Sequence, residues 1–191
     1  IASGFATIKS NKSSKISDSQ NTSTNDLLGF KNTVDDYAQF APFAAVYGFE
    51  LAGLKPKTDI KNRTAILIKG QILNLGLVYI LKKTLKKTRP DGTAFSFPSG
   101  HTANAFAGAT MLSIEYGENY KWVPYVSYGL ATGVGVLRMT NKKHYISDVF
   151  VGAGIGILAT KVAYWTHQYK WNKPKSDKDG MAIIYKLESF K

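Results

Sequence analysis

The sequence predicts an all-α protein that folds as a compact bundle of about five or six core helices. Apolar segments of helical length, rich in alanine and glycine, alternate along the chain with short polar connectors that carry proline, glycine or capping residues. The composition is 44% hydrophobic in 191 residues, which is enough for one domain with a sizeable core. We therefore expect residues 25–191 to form a single helical domain.

Residues 1–24 form a segment of a different kind. They are rich in Ser, Asn, Thr and Lys and show no apolar periodicity. A segment of that composition buries too little apolar surface to order itself, so we expect a flexible N-terminal arm. The first residues also lack the apolar core that a signal peptide needs.

Two helices are predicted before the loop PDGTAFSFPSG. The first begins near Asp35, because acidic residues favour a helix N-terminus, and it is interrupted near Pro42, which lacks a backbone donor. Asp59 or Asn62 caps the second helix. We predict this helix over residues 63–87, because it must end before the Arg-Pro pair that follows.

Three further helices follow the turn signal Asp91-Gly92. One begins after that loop and closes at Gly117, and the next is an apolar segment whose glycines allow close helix packing. The last is a long helix with Ser147 as its cap. The tail after Trp171 is basic, and its segment MAIIYKL is either a short strand or a final helical turn.

Two apolar stretches approach the length of a membrane span. They cover residues 65–81 and 149–165, and polar or charged residues interrupt both. A span requires about 20 predominantly apolar residues in succession. We therefore expect both stretches to be buried or interface-facing helices of a soluble or peripherally attached protein.

The charge balance indicates an anionic partner. The net charge is +12, which suits phosphate esters, nucleic acid or an anionic lipid surface. The absence of cysteine from the sequence excludes disulfides, thiolate nucleophiles and cysteine-ligated zinc. No group of residues has the spacing of metal ligands, so we expect chemistry that is independent of metal.

The first cluster suited to phosphate chemistry is ILKKTLKKTRPDG. Lys82 and Arg89 are seven positions apart, nearly two helical turns, so both can point to one face. Taken alone, this cluster is better explained as the solvated basic end of a helix.

The second cluster is FPSGHTANAF. Gly100 allows a ligand to approach the backbone closely, and the start of the following helix favours an anion. His101, with an ordinary pKa of about 6.5, is suited to donate a proton to a leaving oxygen. The alternative is a Ser99 helix cap beside an incidental histidine.

The third cluster is LRMTNKKHYISDV, which contains Arg138, His144 and Asp148. An aspartate one helical turn after a histidine can accept from one ring nitrogen and leave the other free to attack. The alternative is a surface histidine near a helix cap. The remaining histidine, His167, is interpreted as an exposed cation at a helix C-terminus.

In this order the clusters resemble the motifs of the type 2 phosphatidic acid phosphatase superfamily. That family includes bacterial class A acid phosphatases, lipid phosphate phosphatases and vanadium haloperoxidases. Lys82 through Arg89-Pro90 matches its first motif, and Pro98 through His101 matches its second. The third motif is matched by Arg138, His144 and Asp148, with Leu137 in place of a leading serine.

The resemblance implies the helical fold of the acid phosphatases and vanadium haloperoxidases, and a phosphatase domain over residues 25–191. It implies that His144 forms a phosphohistidine, that Asp148 orients it, and that His101 protonates the leaving alkoxide and then activates water. It further implies a set of phosphate-binding residues: Lys82, Arg89, Ser99, Gly100 and Arg138. No cofactor is expected, although vanadate could bind as a phosphate mimic.

Two alternatives to a phosphatase stay open. A vanadium-dependent haloperoxidase shares the pocket, but chains of that branch are typically much longer. A non-enzymatic binder of nucleic acid or anionic membrane would use the basic charge, but it gives no reason for the pairing of His144 and Asp148. We therefore expect a phosphorylated lipid or small phosphate ester as substrate, with no nucleic acid partner. The family suggests the periplasm or cell envelope, with peripheral contact to a membrane as an option.

Overall fold

The computed structural model describes residues 33–168, which form six α-helices and, within that range, no strand. This confirms the all-α prediction. The flexible arm predicted over residues 1–24 and the segment MAIIYKL lie outside the described residues and stay predictions. The helices are α1 (Val34–Ala38), α2 (Ala41–Leu51), α3 (Ile60–Leu85), α4 (Gly100–Tyr116), α5 (Trp122–Thr140) and α6 (Ile146–Trp165).

Helix α4 is the centre of the bundle, and α2, α3, α5 and α6 all pack against it. Most of its side chains are small and buried, so neighbouring backbones can approach it closely. Gly152 and Gly156 of α6 lie where a Cβ would overlap backbone atoms of Ser99 and Ala103. This close approach sets the start of α6 against the start of α4, where two of the predicted motifs lie.

Substituting Gly156 by alanine is expected to destabilise the bundle. The added Cβ would collide with the backbone of Ala103 and Ala107, which cannot rotate away, so the two helices must separate, at about 1–3 kcal/mol or more. Thermal unfolding measures this loss. Gly154→Ala is the matched control, because no atom lies within 4 Å of its Cβ position. Equal melting temperatures for the two variants would contradict the packing argument.

The helix ends follow local capping rules, with three corrections to the predictions. Of the two predicted caps of α3, Asp59 is the one observed, since its Oδ2 accepts from the backbone N–H groups of Lys61 and Asn62 at 3.0 and 3.3 Å. The helix therefore starts at Ile60 rather than near residue 63, and it ends at Leu85 because the next residue has a φ of 43°. The prediction of Ser147 as the cap of α6 is wrong, because Tyr145 occupies that position.

The interruption predicted near Pro42 lies just before it. Helix α1 ends at Ala38, and Pro42 stands in the first turn of α2, where a missing backbone donor breaks no helical hydrogen bond. Gly117 is the C-cap of α4, as predicted.

Residues 65–81 and 149–165 are predicted to form buried or interface-facing helices, and the structure contradicts only the first of these alternatives. Helices α3 and α6 are long and apolar enough to cross a membrane, yet only 22% and 33% of their most apolar windows are buried. The polar residues that interrupt α3 do not mark a solvent-facing surface, because Asn74 is fully buried and Lys69 donates to the carbonyl of Thr166 at 2.8 Å. Large apolar side chains cover the outer faces instead: Ile68, Ile72, Leu75, Tyr79, Phe150, Leu158 and Trp165.

A polar cluster joins the helix ends where α3 begins and α6 ends. Arg63 is fully buried, pairs with Glu50 and donates to the carbonyl of Thr58 at 3.0 Å. Nε2 of His167 lies 2.8 Å from Oδ1 of Asn62. His167 is therefore half-buried in a hydrogen-bonded contact, and its interpretation as an exposed cation is wrong.

Candidate active site

The residues predicted from the three sequence clusters lie together at one end of the bundle. This end is formed by the end of α3, the starts of α4 and α6 and the end of α5. The backbone N–H of Ser99 donates to the carbonyl of Asp148 at 2.9 Å, which joins the second cluster directly to the third. A Cβ on Gly100 would lie 4.0 Å from Cε of Lys82, which places the first cluster beside the second.

Two loops complete this end of the bundle and are joined to each other. In the loop between α3 and α4, the N–H of Arg89 donates to the carbonyl of Thr93 at 2.7 Å, and Nζ of Lys82 donates to the carbonyl of Phe95 at 2.8 Å. Asp91 links this loop to the one between α5 and α6, because its carboxylate accepts from Nζ of Lys143 at 2.9 Å. The loop positions of Arg89 and His144 are thereby fixed relative to each other.

His144 is almost completely buried, with 2% of its surface exposed. Its N–H donates to the carbonyl of Arg138 at 3.2 Å, so the end of α5 holds the loop that carries it. Burial lowers the pKa of His144, and the nearby cations Lys82, Arg138 and Arg89 lower it further, whereas a contact with Asp148 opposes the shift. The imidazole is therefore biased towards its neutral form, which is the nucleophilic one.

Asp148 faces His144 and is held by four other donors. Its Oδ2 lies 3.8 Å from Nδ1 of His144, which is beyond hydrogen-bonding distance, and that nitrogen has no other partner among the described residues. Such catalytic contacts are often long in a free enzyme and tighten with substrate. The carboxylate accepts from Oγ of Ser96, the N–H of Tyr145, Nζ of Lys87 and Oγ of Ser147.

Lys87 is a residue of this site that the sequence analysis missed. The sequence places it at the end of the helix predicted over residues 63–87, whereas the structure pairs its Nζ with Oδ1 of Asp148 at 2.7 Å and places it over the ring of Tyr145 at 4.4 Å. Helix α3 ends at Leu85, so Lys87 lies in the loop and a helical projection does not apply to it.

Ser99 forms the helix cap that is one interpretation of the second sequence cluster. This cap does not exclude the other interpretation, in which the start of α4 binds an anion. Ser99 is fully buried and caps the helix, with its Oγ 3.4 Å from the N–H of Thr102 and 2.8 Å from Oγ1 of the same residue. The first backbone N–H groups of any helix have no partner within it, and they favour an anion. The role of Ser99 in binding phosphate stays a prediction beside its role as a cap.

The two arginines of this site each retain a buried donor, as does Arg63 at the other end of the bundle. Nε of Arg89 and Nε of Arg138 are inaccessible to solvent and have no hydrogen-bond partner in the described part of the chain. Buried donors of this kind are uncommon unless a ligand satisfies them. A tetrahedral oxyanion such as phosphate or vanadate fits this donor set. Among residues 33–168, no three His, Asp or Glu side chains are grouped so as to hold a metal ion.

Substituting Gly100 by alanine is expected to reduce activity without destabilising the fold. The added Cβ would meet Cγ1 of Val78 at 3.5 Å, an ordinary contact, but it would enter the space beside Lys82 that a phosphoryl oxygen would use. We expect kcat/KM to fall about tenfold or more, which corresponds to about 1.4 kcal/mol, with an unchanged melting temperature. Full activity would contradict a close approach of the substrate to this backbone.

Two acidic residues outside the motifs also reach this site. Asp35 and Asp36 of α1 contact Arg138, and Asp36 also contacts His101. From the sequence these acids are explained by the charge preference of a helix N-terminus. That local explanation gave no signal of a contact with residues far along the chain.

Comparison with known proteins shows that the chain is similar to phosphatases. The family model of the PAP2 superfamily matches residues 63–172. Lipid A 1-phosphatase of Porphyromonas gingivalis is 36% identical over 149 residues, which cover 76% of this chain and 33% of that protein. Phosphatidylglycerophosphatase B of Bacillus subtilis is 29% identical over 92 residues, which cover 41% of this chain and 45% of that protein. The chain therefore spans less than half the length of these curated relatives.

Two solved structures are similar to the described fold. The crystal structure of LpxE from Aquifex aeolicus matches with a TM-score of 0.55 and 26% identity, over 69% of this chain and 83% of that chain. A transmembrane PAP2 type phosphatidylglycerolphosphate phosphatase from Bacillus subtilis matches with a TM-score of 0.51 and 20% identity, over 86% and 92%. The second match, at that identity, supports the fold alone.

Proposed function

This chain belongs to the PAP2 superfamily, and from that premise we propose that it removes a phosphate group from a lipid phosphate through a phosphohistidine and without a metal. The observation that carries the proposal is the position of His144. It is a buried imidazole surrounded by Lys82, Arg89 and Arg138, which lower its pKa, with a carboxylate facing one ring nitrogen. A neutral nucleophile in solvent-excluded, cationic surroundings is the arrangement that transfer of an anionic phosphoryl group requires.

The first step forms a bond between His144 and phosphorus. Asp148 faces Nδ1, so Nε2 is the nitrogen that attacks. The P–N bond forms as the bond from phosphorus to the leaving oxygen breaks, and His101 gives its proton to that oxygen. In the second step His101 takes a proton from water, the water oxygen attacks phosphorus, and the P–N bond breaks to release inorganic phosphate.

The cations stabilise the charge that spreads over the phosphoryl oxygens during both steps. Arg89 and Arg138 each offer a buried Nε without a partner among the described residues. Lys82, the hydroxyl of Ser99 and the N–H of Gly100 complete the proposed set. Since the protein supplies these charges itself, no metal ion is needed to neutralise the transition state.

A lipid substrate is supported by the outer surface of the bundle. At about 1.5 Å per residue, the 26 residues of α3 extend about 39 Å, more than the hydrocarbon core of a bilayer. The exposed apolar faces of α3 and α6 suit lipid contact, so we propose that both helices cross the membrane. The site then lies at one membrane surface, at the level of lipid phosphates, beside the exposed lysines Lys83, Lys86 and Lys142.

For the lipid itself we propose a class of compounds rather than one compound. The relatives are named for lipid A and for phosphatidylglycerophosphate, both of which carry phosphate monoesters at a membrane surface. We propose a phosphate monoester or pyrophosphate of this kind, handled on the periplasmic or outer side of a cell envelope. Orthovanadate should inhibit as a phosphate mimic.

The test is release of inorganic phosphate by the detergent-solubilised protein. The panel contains phosphatidylglycerophosphate, a lipid A 1-phosphate, phosphatidate, an isoprenoid pyrophosphate and soluble p-nitrophenyl phosphate, each with and without chelator. We expect kcat/KM to be highest for a lipid and unaffected by the chelator. Equal values for lipid and soluble esters would contradict the lipid assignment, and loss of activity with chelator would contradict metal independence.

A further inference from the structure

Helix α1 brings two consecutive carboxylates into the candidate site. Oδ2 of Asp35 accepts from Nη1 of Arg138 at 2.6 Å, and Oδ1 of Asp36 accepts from the same nitrogen at 3.1 Å. Oδ1 of Asp36 also lies 2.9 Å from Nε2 of His101. These contacts join residues separated by 65 to 103 positions in the chain, and neither aspartate belongs to any of the three motifs.

The contact with Arg138 fixes which edge of the guanidinium faces the phosphate. Both carboxylates use Nη1, whereas Nε stays buried and has no partner among the described residues. Asp35 is itself fully buried and is held from its other side by Nδ2 of Asn141, which donates to Oδ1 at 3.2 Å. The planar guanidinium therefore has one edge occupied by protein and the edge that carries Nε left for a ligand.

The contact with His101 supplies a counter-charge to the proposed acid. Burial lowers the pKa of His101, and Arg138 lowers it further, while Asp36 and, more weakly, Asp35 raise it. A protonated imidazole has two donors. With Nε2 held by Asp36, Nδ1 is the nitrogen that can carry a proton to the leaving oxygen.

We propose that Asp36 and Asp35 are positioning residues of the reaction, Asp36 by holding protonated His101 towards the leaving group and Asp35 by fixing Arg138 for the phosphoryl group. The inference rests on the proposed phosphatase function. A second explanation of the same contacts is that the carboxylates occupy the place of the substrate anion and block its binding. The two explanations predict opposite changes in activity when a carboxylate is removed. Removing a positioning carboxylate lowers activity, whereas removing a blocking one raises it.

The first test is Asp36→Asn, which keeps the shape of a half-exposed side chain and removes its charge. We expect kcat to fall about tenfold to hundredfold. The alkaline limb of the pH profile should move to lower pH, because the imidazolium of His101 loses the carboxylate that raises its pKa. Asp36→Glu should restore part of kcat and return the limb towards its original position. A merely structural role would not move the limb.

The second test is Asp35→Asn, measured by inhibition with orthovanadate. We expect the inhibition constant to rise about tenfold, because Arg138 is no longer fixed, while the alkaline limb moves less than in Asp36→Asn. Glu118→Gln is the matched control for loss of one carboxylate, since Glu118 is exposed near the other end of α4 and lies 4.0 Å from Nζ of Lys57. Melting temperatures of all variants report their folding.

The outcomes separate this inference from the proposed function. If His144→Asn remains active, the proposed function fails regardless of α1. If His144→Asn and His101→Asn lose activity while Asp36→Asn keeps the wild-type kcat and pH profile, the positioning role of Asp36 alone is wrong. An unchanged inhibition constant in Asp35→Asn overturns the role of Asp35. A rise in kcat/KM in either variant overturns positioning in favour of blocking.

Discussion

Replacing His144 by asparagine is expected to lower kcat for every phosphate ester by at least about 10,000-fold, to the background rate of the assay. The amide cannot form a P–N bond, and no other imidazole takes the place of His144 beside Asp148. The loop between α5 and α6 keeps its contact with the carbonyl of Arg138, because the backbone N–H of residue 144 donates that hydrogen bond. Turnover close to wild type would contradict the nucleophilic role.

A trapping experiment adds a positive signal to this loss. Acid-free quenching of the wild-type protein with a ³²P-labelled substrate should leave label on the chain, stable to base and released by acid, as a phosphoramidate is. His144→Asn should retain none. His167→Asn is the matched control, because His167 lies at the other end of α6, in contact with Asn62. It should label and turn over like the wild type.

The pH dependence of kcat/KM follows from the same surroundings. His144 must be neutral to attack, and burial together with three cations lowers its pKa. The acid limb should therefore lie below the ordinary histidine value of about 6.5. Removing the charge of a neighbouring cation, as in Arg89→Gln, should move this limb to higher pH while kcat falls. A limb that stays in place would contradict the electrostatic origin of the shift.

Features that depend on neighbouring residues could be predicted from the sequence, whereas side-chain contacts between residues far apart in the chain could not. Helix starts such as Asp59 and the order of the three clusters depend on neighbouring residues, and the structure brings those clusters together at one end of the bundle. Asp35 and Asp36 had a sufficient local explanation as acids at a helix start, so nothing in their neighbourhood pointed to Arg138. A contact across about a hundred positions leaves no periodic pattern to detect.

The apolar helices illustrate a second limit. Hydropathy measures how apolar a segment is, but it does not say whether protein or another apolar phase covers it. Lys69, Gln71 and Asn74 interrupt α3 in the sequence, and this pattern favours a soluble or peripherally attached protein. In the structure Asn74 is buried and Lys69 reaches the end of α6. The outward surface of the helix is therefore more continuously apolar than its sequence.

Asp148→Asn is expected to lower kcat by about 1,000- to 10,000-fold with little change in KM, because the imidazole loses the acceptor that selects its tautomer and orientation. The four groups that hold this carboxylate are all donors: Ser96, Tyr145, Lys87 and Ser147. An amide offers them one oxygen instead of two. Its NH₂ group must therefore face either a donor or Nδ1 of His144, and the second arrangement forces the wrong tautomer.

Loss of stability has to be separated from loss of chemistry in this variant, because Asp148 also accepts from the N–H of Tyr145 at the start of α6. Asp59→Asn is the matched control, since Asp59 likewise accepts from backbone N–H groups at a helix start, that of α3, away from the site. We expect both variants to melt slightly below the wild type and only Asp148→Asn to lose kcat.

Lys87→Met completes the set, because it removes one donor to Asp148 but leaves the acceptor for His144. A loss of about tenfold or less in kcat is expected, since the carboxylate keeps its other three donors. If Lys87→Met is as inactive as Asp148→Asn, the ion pair rather than the acceptor governs the reaction. If Asp148→Asn keeps kcat within about tenfold of wild type, His144 does not depend on this carboxylate. Its tautomer would then be selected by the substrate itself.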